Sequence, residues 1–331
     1  MTWSEGPARV RVPATSANLG PGFDALGLAL SLHDEVEARV IPSGLKIEVT
    51  GEGAGLVDAA GEAHLVVRAM RAAFESMGRG QPPGIALRCA NQIPHGRGLG
   101  SSAAAIVAGI LAARALAGVD PGGVNPGNGG PGNGGLGGGD LGGGDLGGVL
   151  ALANEIEGHP DNVAPCLYGG LTVAWVADGA ARAARLDPLP RITPVAIVAP
   201  APVSTEVARG LLPDQVPHGD AARNAGRAAL LVAAFTARPE ALLDATEDRL
   251  HQGYRAPAMP ATHDLVGRLR AEGIPAVVSG AGPSVLALLT SGEGLDRLDS
   301  TVKETGIEWR ISPLDIERRG ASVEPGGRSA R

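Results

Sequence analysis

The chain has 331 residues, 44% of them hydrophobic, which suits two domains with cores of their own and excludes a disordered or fibrous chain. Aromatic residues make up only 2%, so those cores must be built from Ala, Val, Leu and Ile. A net charge of -7 with a pI near 5.5 argues against nucleic acid as the main partner.

Two cysteines, Cys89 and Cys166, make neither a disulfide framework nor a zinc cluster and read as small buried apolar residues. Met1 to Pro7 lacks a basic region followed by an apolar one, and no run of about twenty apolar residues could span a membrane. The expectation is a cytoplasmic protein with no membrane and no nucleic-acid partner.

Ala8 to Val12 opens a strand that runs into Pro13-Ala14-Thr15-Ser16-Ala17-Asn18-Leu19-Gly20-Pro21-Gly22-Phe23-Asp24. Its glycines and proline make an ordered turn that can aim the Asn18 amide and the Asp24 carboxylate into a cleft. Taken alone, an ordinary Asn- and Asp-rich turn fits equally well. Leu45 to Val49 is a further strand. Val66, Met70, Phe74 and Met77 then form a helical stripe across Leu65 to Gly78, read as core, with His64 at its start.

Ile85, Leu87 and Cys89 alternate with Ala86, Arg88 and Ala90, the period of a strand. Pro94-His95-Gly96-Arg97-Gly98-Leu99-Gly100-Ser101-Ser102 follows, and then an alanine-rich helix carrying Ile106, Val107, Ile110, Leu111 and Leu116 up to Gly118. The segment reads strand, glycine loop, helix, with Ser101 or Ser102 as the N-cap. Three glycines let the backbone turn tightly with its N–H groups uncovered, and the helix start adds partial positive charge. That is a phosphate cradle.

It is not a Walker A loop, because Ser101 stands where that motif needs lysine. The only lysines, Lys46 and Lys303, lie in no glycine loop. Gly98 to Ala103 does fit the dinucleotide pattern G-x-G-x-x-A. The acidic residue that pattern wants about twenty residues on would be Asp120, which opens a glycine tract and ends no strand. A glycine-rich capping turn with no ligand is the third reading.

Asp120 to Gly148 is low complexity, with repeated Asn-Gly-Gly and Leu-Gly-Gly-Gly-Asp, and reads as a solvated insertion in a helix–helix connection. Asp140 and Asp145 lack the period of calcium-binding glycine repeats. Structure resumes at Val149, on a helix carrying Glu155 and Glu157, which point to opposite sides because they are two residues apart. Only one can face a bound phosphate, and one carboxylate is enough for magnesium beside phosphate oxygens. Beyond Asn162, Leu171 to Val176 and Val195 to Val198 read as strands, and Ala221 to Thr236 and Leu265 to Ala271 as helices. Ala276 to Leu289 reads as strand, glycine turn, strand. This order suggests an α+β sandwich beginning near Cys166.

Pro-x-Gly-x-Gly-Leu-Gly-Ser-Ser-Ala resembles the second motif of the GHMP small-molecule kinases, and Ser279 to Ser284 resembles their third. The stretch from Pro13 to Asp24 and Glu155-Ile156-Glu157-Gly158-His159-Pro160-Asp161-Asn162 are similar to segments of the homoserine kinases within that superfamily. So are Val203 to Pro213 and Glu247 to Arg255. The resemblance covers most of residues 9 to 290 outside the glycine tract. It implies a two-domain α+β GHMP kinase fold, with a ribosomal-S5-domain-2-like N-terminal domain and a ferredoxin-like α/β sandwich at the C-terminus. The expected spans are 1–165 with its insertion at about 120–148, 166–318, and a disordered tail at 319–331.

The implied activity is ATP-dependent phosphorylation of the hydroxyl of L-homoserine to O-phospho-L-homoserine, on the way to threonine. The resemblance places ATP on Pro94, His95, Gly96, Arg97, Gly98, Leu99, Gly100, Ser101 and Ser102, and Mg2+ on Ser102 and Glu155. Substrate falls to Asn18, Asp24, His159, Asn162, Arg209 and Arg255, the two arginines taking its carboxylate with a geometry that suits the guanidinium fork. Asp24 and Asn162 are the catalytic candidates, and whether Asp24 acts as a base or only orients substrate stays open. The family's adenine contact near the first helix, often asparagine, falls on His64, for which a solvent-facing histidine is the other reading. A homodimer stays open. The alternatives are another GHMP kinase, a non-catalytic nucleotide-binding relative and a dinucleotide oxidoreductase.

Overall fold

The computed structural model describes residues 3–55, 58–119, 146–290, 292 and 294–324. The first sheet is built from β1 (Ala8–Ala17), β2 (Leu26–Val40), β3 (Gly44–Gly51), β4 (Gly84–Asn91), β5 (Leu171–Ala177) and β6 (Ala180–Leu186). β1 and β4 flank β2 antiparallel, and β3 runs parallel to β4 at the edge. A register shift between Pro13 and Ala14 bends β1 away from a regular ladder. Its second half is thereby buried on both sides, Ala14 to Ala17 included.

One face of this sheet carries α1 (Leu65–Ser76), α2 (Ser101–Leu116), α3 (Leu146–Glu157) and α4 (Pro160–Tyr168). α2 is buried almost all round, which explains its alanine content: small side chains let neighbouring helices approach closely. At Gly109 an added Cβ would fall 2.5 Å from the Val66 carbonyl oxygen and 2.7 Å from Ala69 Cβ. On the other face, Arg9–Glu37 and Arg88–Glu48 form exposed cross-strand ion pairs, each worth little to stability.

The second sheet holds β7 (Thr193–Val198), β8 (Ala276–Val278), β9 (Val285–Leu289) and β10 (Arg310–Pro313). Its order is β10-β7-β9-β8, all antiparallel. In chain order that is fourth, first, third, second, the ferredoxin-like arrangement expected. Between the strands run α5 (Thr205–Gly210), α6 (His218–Thr236), α7 (Leu242–Ala245), α8 (Gln252–Arg255), α9 (Pro260–Ala271) and α10 (Gly294–Lys303). Along β7 the strand period splits the burial. Val195 and Ile197 pack with Leu265, Leu269 and Leu298, while Ala196 and Val198 join the core of the first sheet. The two sheets therefore share one continuous apolar interior around α6.

Three boundaries differ from the sequence reading. β5 and β6 follow Cys166 yet extend the first sheet, because Leu26 to Leu28 of β2 offer them an open edge. The second sheet begins only at Thr193. The last strand, β11 (Ser322–Glu324), returns to β1 through Arg9 to Arg11, so the expected disordered tail is ordered up to Glu324. Ala321 before it is fully buried. The glycine tract lies, over 120–145, outside the described residues, as do 325–331; Leu146 already opens α3. β2 carries Leu26, Leu28, Leu30 and Leu32 at every second position, the period of a strand that the sequence reading does not include. Both cysteines are buried, and burial pushes the Cys89 thiol up to about 12. Among the described residues no helix is long and apolar enough to cross a membrane.

Candidate active site

The glycine loop lies where the two sheets meet. Gly96, Gly98 and Gly100 all take positive φ, at 65, 74 and 71°. At Gly98 an added Cβ would stand 2.2 Å from the Ser279 carbonyl oxygen, and at Gly100 only 1.9 Å from Thr15 Oγ1. The loop is thus clamped from the second sheet on one side and from β1 on the other. Ser279 Oγ donates to the Gly98 carbonyl at 2.6 Å and meets Ser16 Oγ at 2.8 Å. Arg97 does not point a free charge at the cleft. Its Nε donates to the Ala199 carbonyl, Nη2 to that of Pro200 and Nη1 to that of His95.

The expected serine N-cap is corrected. Gly100 caps α2, and Ser101 and Ser102 occupy its first turn, where their amides remain available. A left-handed glycine at the cap brings the chain into the helix while leaving the N-terminus bare. Beneath the loop, Asp34 Oδ1 accepts from the Gln92 and Ile93 amides at 2.6 and 2.9 Å, fixing the entry to Pro94.

A cleft of about 280 Å³ opens in front of the loop, lined among others by Asn18, Ser101, Ser102, Glu157, His159, Asn162, Arg209 and Arg255. Residues from opposite ends of the chain therefore converge on one space. Ser102 Oγ donates to Glu157 Oε2 at 2.6 Å. Burial pushes the Glu157 carboxyl above the usual range, and the serine bond offsets only part of that. Glu155 is exposed on the other side of α3. Of the two helix carboxylates it is Glu157, and not the Glu155 that the resemblance implies as the Mg2+ ligand, that lies beside Ser102: two positions along a helix rotate a side chain by about 200°.

Asn18, Leu19 and Asp24 all adopt positive φ, at 67, 49 and 54°. Non-glycine residues hold that conformation only where the surroundings impose it. Here the Asn18 side chain does so. Its Nδ2 donates to the Gly280 carbonyl at 2.8 Å, and its Oδ1 accepts from the Asp24 amide at 2.9 Å. Asp24 then meets Arg209 in a two-pronged ion pair. Thr15 Oγ1 donates to Asn162 Oδ1 at 2.8 Å, orienting that amide. His159 Nδ1 lies 3.0 Å from Asp161 Oδ1, and this hydrogen bond raises the imidazole pKa against the effect of burial. Arg255 is 1% exposed, and burial together with nearby Arg209 lowers its pKa.

His64 caps α1 but is buried, so the solvent-facing reading is corrected. Glu157, Asp161 and Thr15 are site residues the sequence reading did not nominate, although Glu157 stood two residues from the one it chose. Among the described residues no group of three or more His, Cys, Asp and Glu could hold a metal unaided.

Residues 64–123 match the family described as GHMP kinases N terminal domain. The homoserine kinase of Streptomyces coelicolor is 56% identical over 317 residues, covering 96% of this chain and 94% of that protein. That of Leifsonia xyli is 47% identical over 316 residues, 95% and 91% of the two chains. The crystal structure of homoserine kinase from Cytophaga hutchinsonii superposes with a TM-score of 0.78 at 27% identity, covering 97% of this chain and 98% of that one.

Proposed function

We infer how the cleft works from the premise that this chain belongs to the homoserine kinase family of the GHMP kinases. It is an ATP-dependent kinase that transfers a phosphoryl group to the side-chain hydroxyl of L-homoserine, giving O-phospho-L-homoserine towards threonine. One observation carries the residue assignments. A bare helix N-terminus and two arginines beside a carboxylate face the same cleft.

Phosphoryl transfer asks mainly for positioning and charge neutralisation. The amides of the glycine loop and of the first turn of α2 would hold the ATP phosphates, and Ser102 and Glu157 would hold Mg2+. The donor set fits: a hydroxyl and one desolvated carboxylate are hard oxygen ligands of the kind magnesium takes alongside phosphate and water. A divalent cation held there would supply charge neutralisation to the phosphates during transfer.

The substrate is a zwitterion, and the cleft already contains a matching pair. Arg209 and Arg255 take its carboxylate, while Asp24, released from Arg209, takes its ammonium. Asn162, with its carbonyl engaged by Thr15, offers its N–H to the hydroxyl region, and His159 closes the wall. Asp24 acts by orientation, since a loose transition state needs little help from a base. We assign the protein to the cytoplasm on the same reading.

The deciding measurement is ADP release with homoserine, mevalonate, a sugar, shikimate or no acceptor. Homoserine alone should drive turnover, and only with magnesium present. Turnover with another acceptor would move the chain to a different kinase of the superfamily. ATP binding without ADP release would mark a non-catalytic relative.

A further inference from the structure

We infer that His251 is a positioning residue for the substrate carboxylate: as a neutral imidazole it holds the Arg255 guanidinium in the cleft through Nδ1. This rests on the reading of Arg255 as a carboxylate ligand and deepens it.

The ring is completely buried. Its Nε2 lies 2.9 Å from the Gly20 carbonyl oxygen, which can only accept, so Nε2 carries the proton. Nδ1 is then an acceptor, and Arg255 Nη1 approaches it at 3.2 Å. The tautomer that anchors the ring to Gly20, in the Pro13 to Asp24 turn, is thus the tautomer that can receive the arginine. A guanidinium has no acceptor of its own and cannot lose its proton, so this polarity is forced. Nη1 also reaches the Gly280 carbonyl at 3.3 Å, the same oxygen that Asn18 engages.

The surroundings hold the ring in place. Phe23 stacks on it at 5.1 Å with an interplanar angle of 25°, and the same phenyl ring lies 5.3 Å from the Arg255 guanidinium and 5.8 Å from that of Arg209. Asp248 accepts the Leu250, His251 and Gln252 amides and so fixes the turn that leads into α8. Gln252 Oε1 accepts the Val278 amide and ties that turn to the second sheet. Besides these two acceptors, the His251 ring and the Gly280 carbonyl, little defines the fork of Arg255, whose buried Nε has no hydrogen-bond partner among the described residues. An arginine that must grip a planar carboxylate loses its value if the fork can rotate.

Three substitutions separate the two ring nitrogens. His251→Gln keeps a donor near the Nε2 position and loses the Nδ1 acceptor. His251→Asn keeps an acceptor near Nδ1 and loses the tie to Gly20. His251→Phe keeps the stack and neither bond. KM for homoserine, KM for ATP, kcat and thermal midpoint are measured for each, with Arg255→Met alongside.

We expect the homoserine KM to rise about tenfold in His251→Gln and His251→Phe, as for loss of one charge-assisted bond. The ATP KM and kcat should change little, and His251→Asn should recover most of the loss. A merely structural histidine would move the thermal midpoint and both KM values together. If His251→Gln matched wild type while His251→Asn failed, the inference would be overturned in favour of the Gly20 anchor. Unchanged homoserine KM in both His251→Gln and His251→Phe, with Arg255→Met impaired, would overturn it as well. If Arg255→Met itself left homoserine binding intact, the reading of the arginine would fall with it.

Discussion

Arg209, which lines the cleft, and Asp24, 185 residues apart in sequence, form a two-pronged pair, Nη2 to Oδ1 at 2.7 Å and Nη1 to Oδ2 at 3.2 Å. Each side chain is a little over one-third exposed, so solvent still reaches the pair and its contribution to stability is small. On the proposed reading its value is in recognition. The hydrogen bond that Arg209 donates to Asp24 raises the Arg209 pKa, and one ammonium and one carboxylate from a substrate can replace that bond without leaving either charge unmatched. Arg209→Met should therefore raise the homoserine KM by roughly ten- to a hundredfold, since a charge-assisted bond contributes about 1.5–3 kcal/mol. The ATP KM should stay within a few-fold, and Arg209→Lys should restore only part of the loss, because an ammonium lacks the fork. Steady-state kinetics with both substrates checks this; equal damage to ATP would argue against it.

Glu157→Gln should abolish most of kcat while Glu155→Gln leaves activity nearly intact, the reverse of what the family resemblance implies. Stability supplies a second readout. Burial raises the folded-state pKa of Glu157, so the fold favours its protonated form. The protonated form contributes stability below the unfolded pKa, and that contribution is lost as pH rises through the folded value. Near neutral pH the metal-free Glu157→Gln protein should therefore melt higher than wild type, and the difference should vanish in acid. A lower midpoint at neutral pH would show that the Ser102 bond outweighs desolvation.

His159 should titrate above an ordinary histidine, followed by NMR, and Asp161→Asn should bring it down. The hydrogen bond to Asp161 raises the imidazole pKa, with burial acting against it. The linked stability is present in full below the unfolded pKa of about 6.5 and is lost as pH rises through the higher folded value. The wild-type advantage in thermal midpoint over Asp161→Asn should thus shrink across that window. An unchanged His159 titration in the variant would remove the pair from the account.

Gly98→Ala and Gly100→Ala should both abolish ATP binding, measured by calorimetry, and lower stability by more than about 1–2 kcal/mol, the usual cost of a left-handed residue alone. At both positions the new Cβ would also strike a neighbouring atom, the Ser279 carbonyl or Thr15 Oγ1. Gly96→Ala should be milder, since its Cβ would meet only Pro202 Cβ, at 3.1 Å.

Much of this site is legible in the sequence alone. Pro94 to Ser102 announces a turn of uncovered amides at a helix start, because glycine spacing and a following apolar helix are local properties. The turn at Asn18 and Asp24 is local for the same reason, and strand–turn–strand over Ala276 to Leu289 follows from short-range periodicity. What sequence could not decide is which side chains share a space. Glu155 and Glu157 are equivalent in composition and motif, and only the rotation of α3 against α2 sends Glu157 to Ser102. Strands β5 and β6 belong to the first sheet because β2 has a free edge there, a fact about a partner some 145 residues away in the chain. The Asp24–Arg209 pair and the His251 tautomer have no local signature at all, since each depends on a carbonyl or charge delivered by the packing of one sheet against the other. Local propensity sets the elements; the shared apolar interior of the two sheets decides what their loops bring face to face.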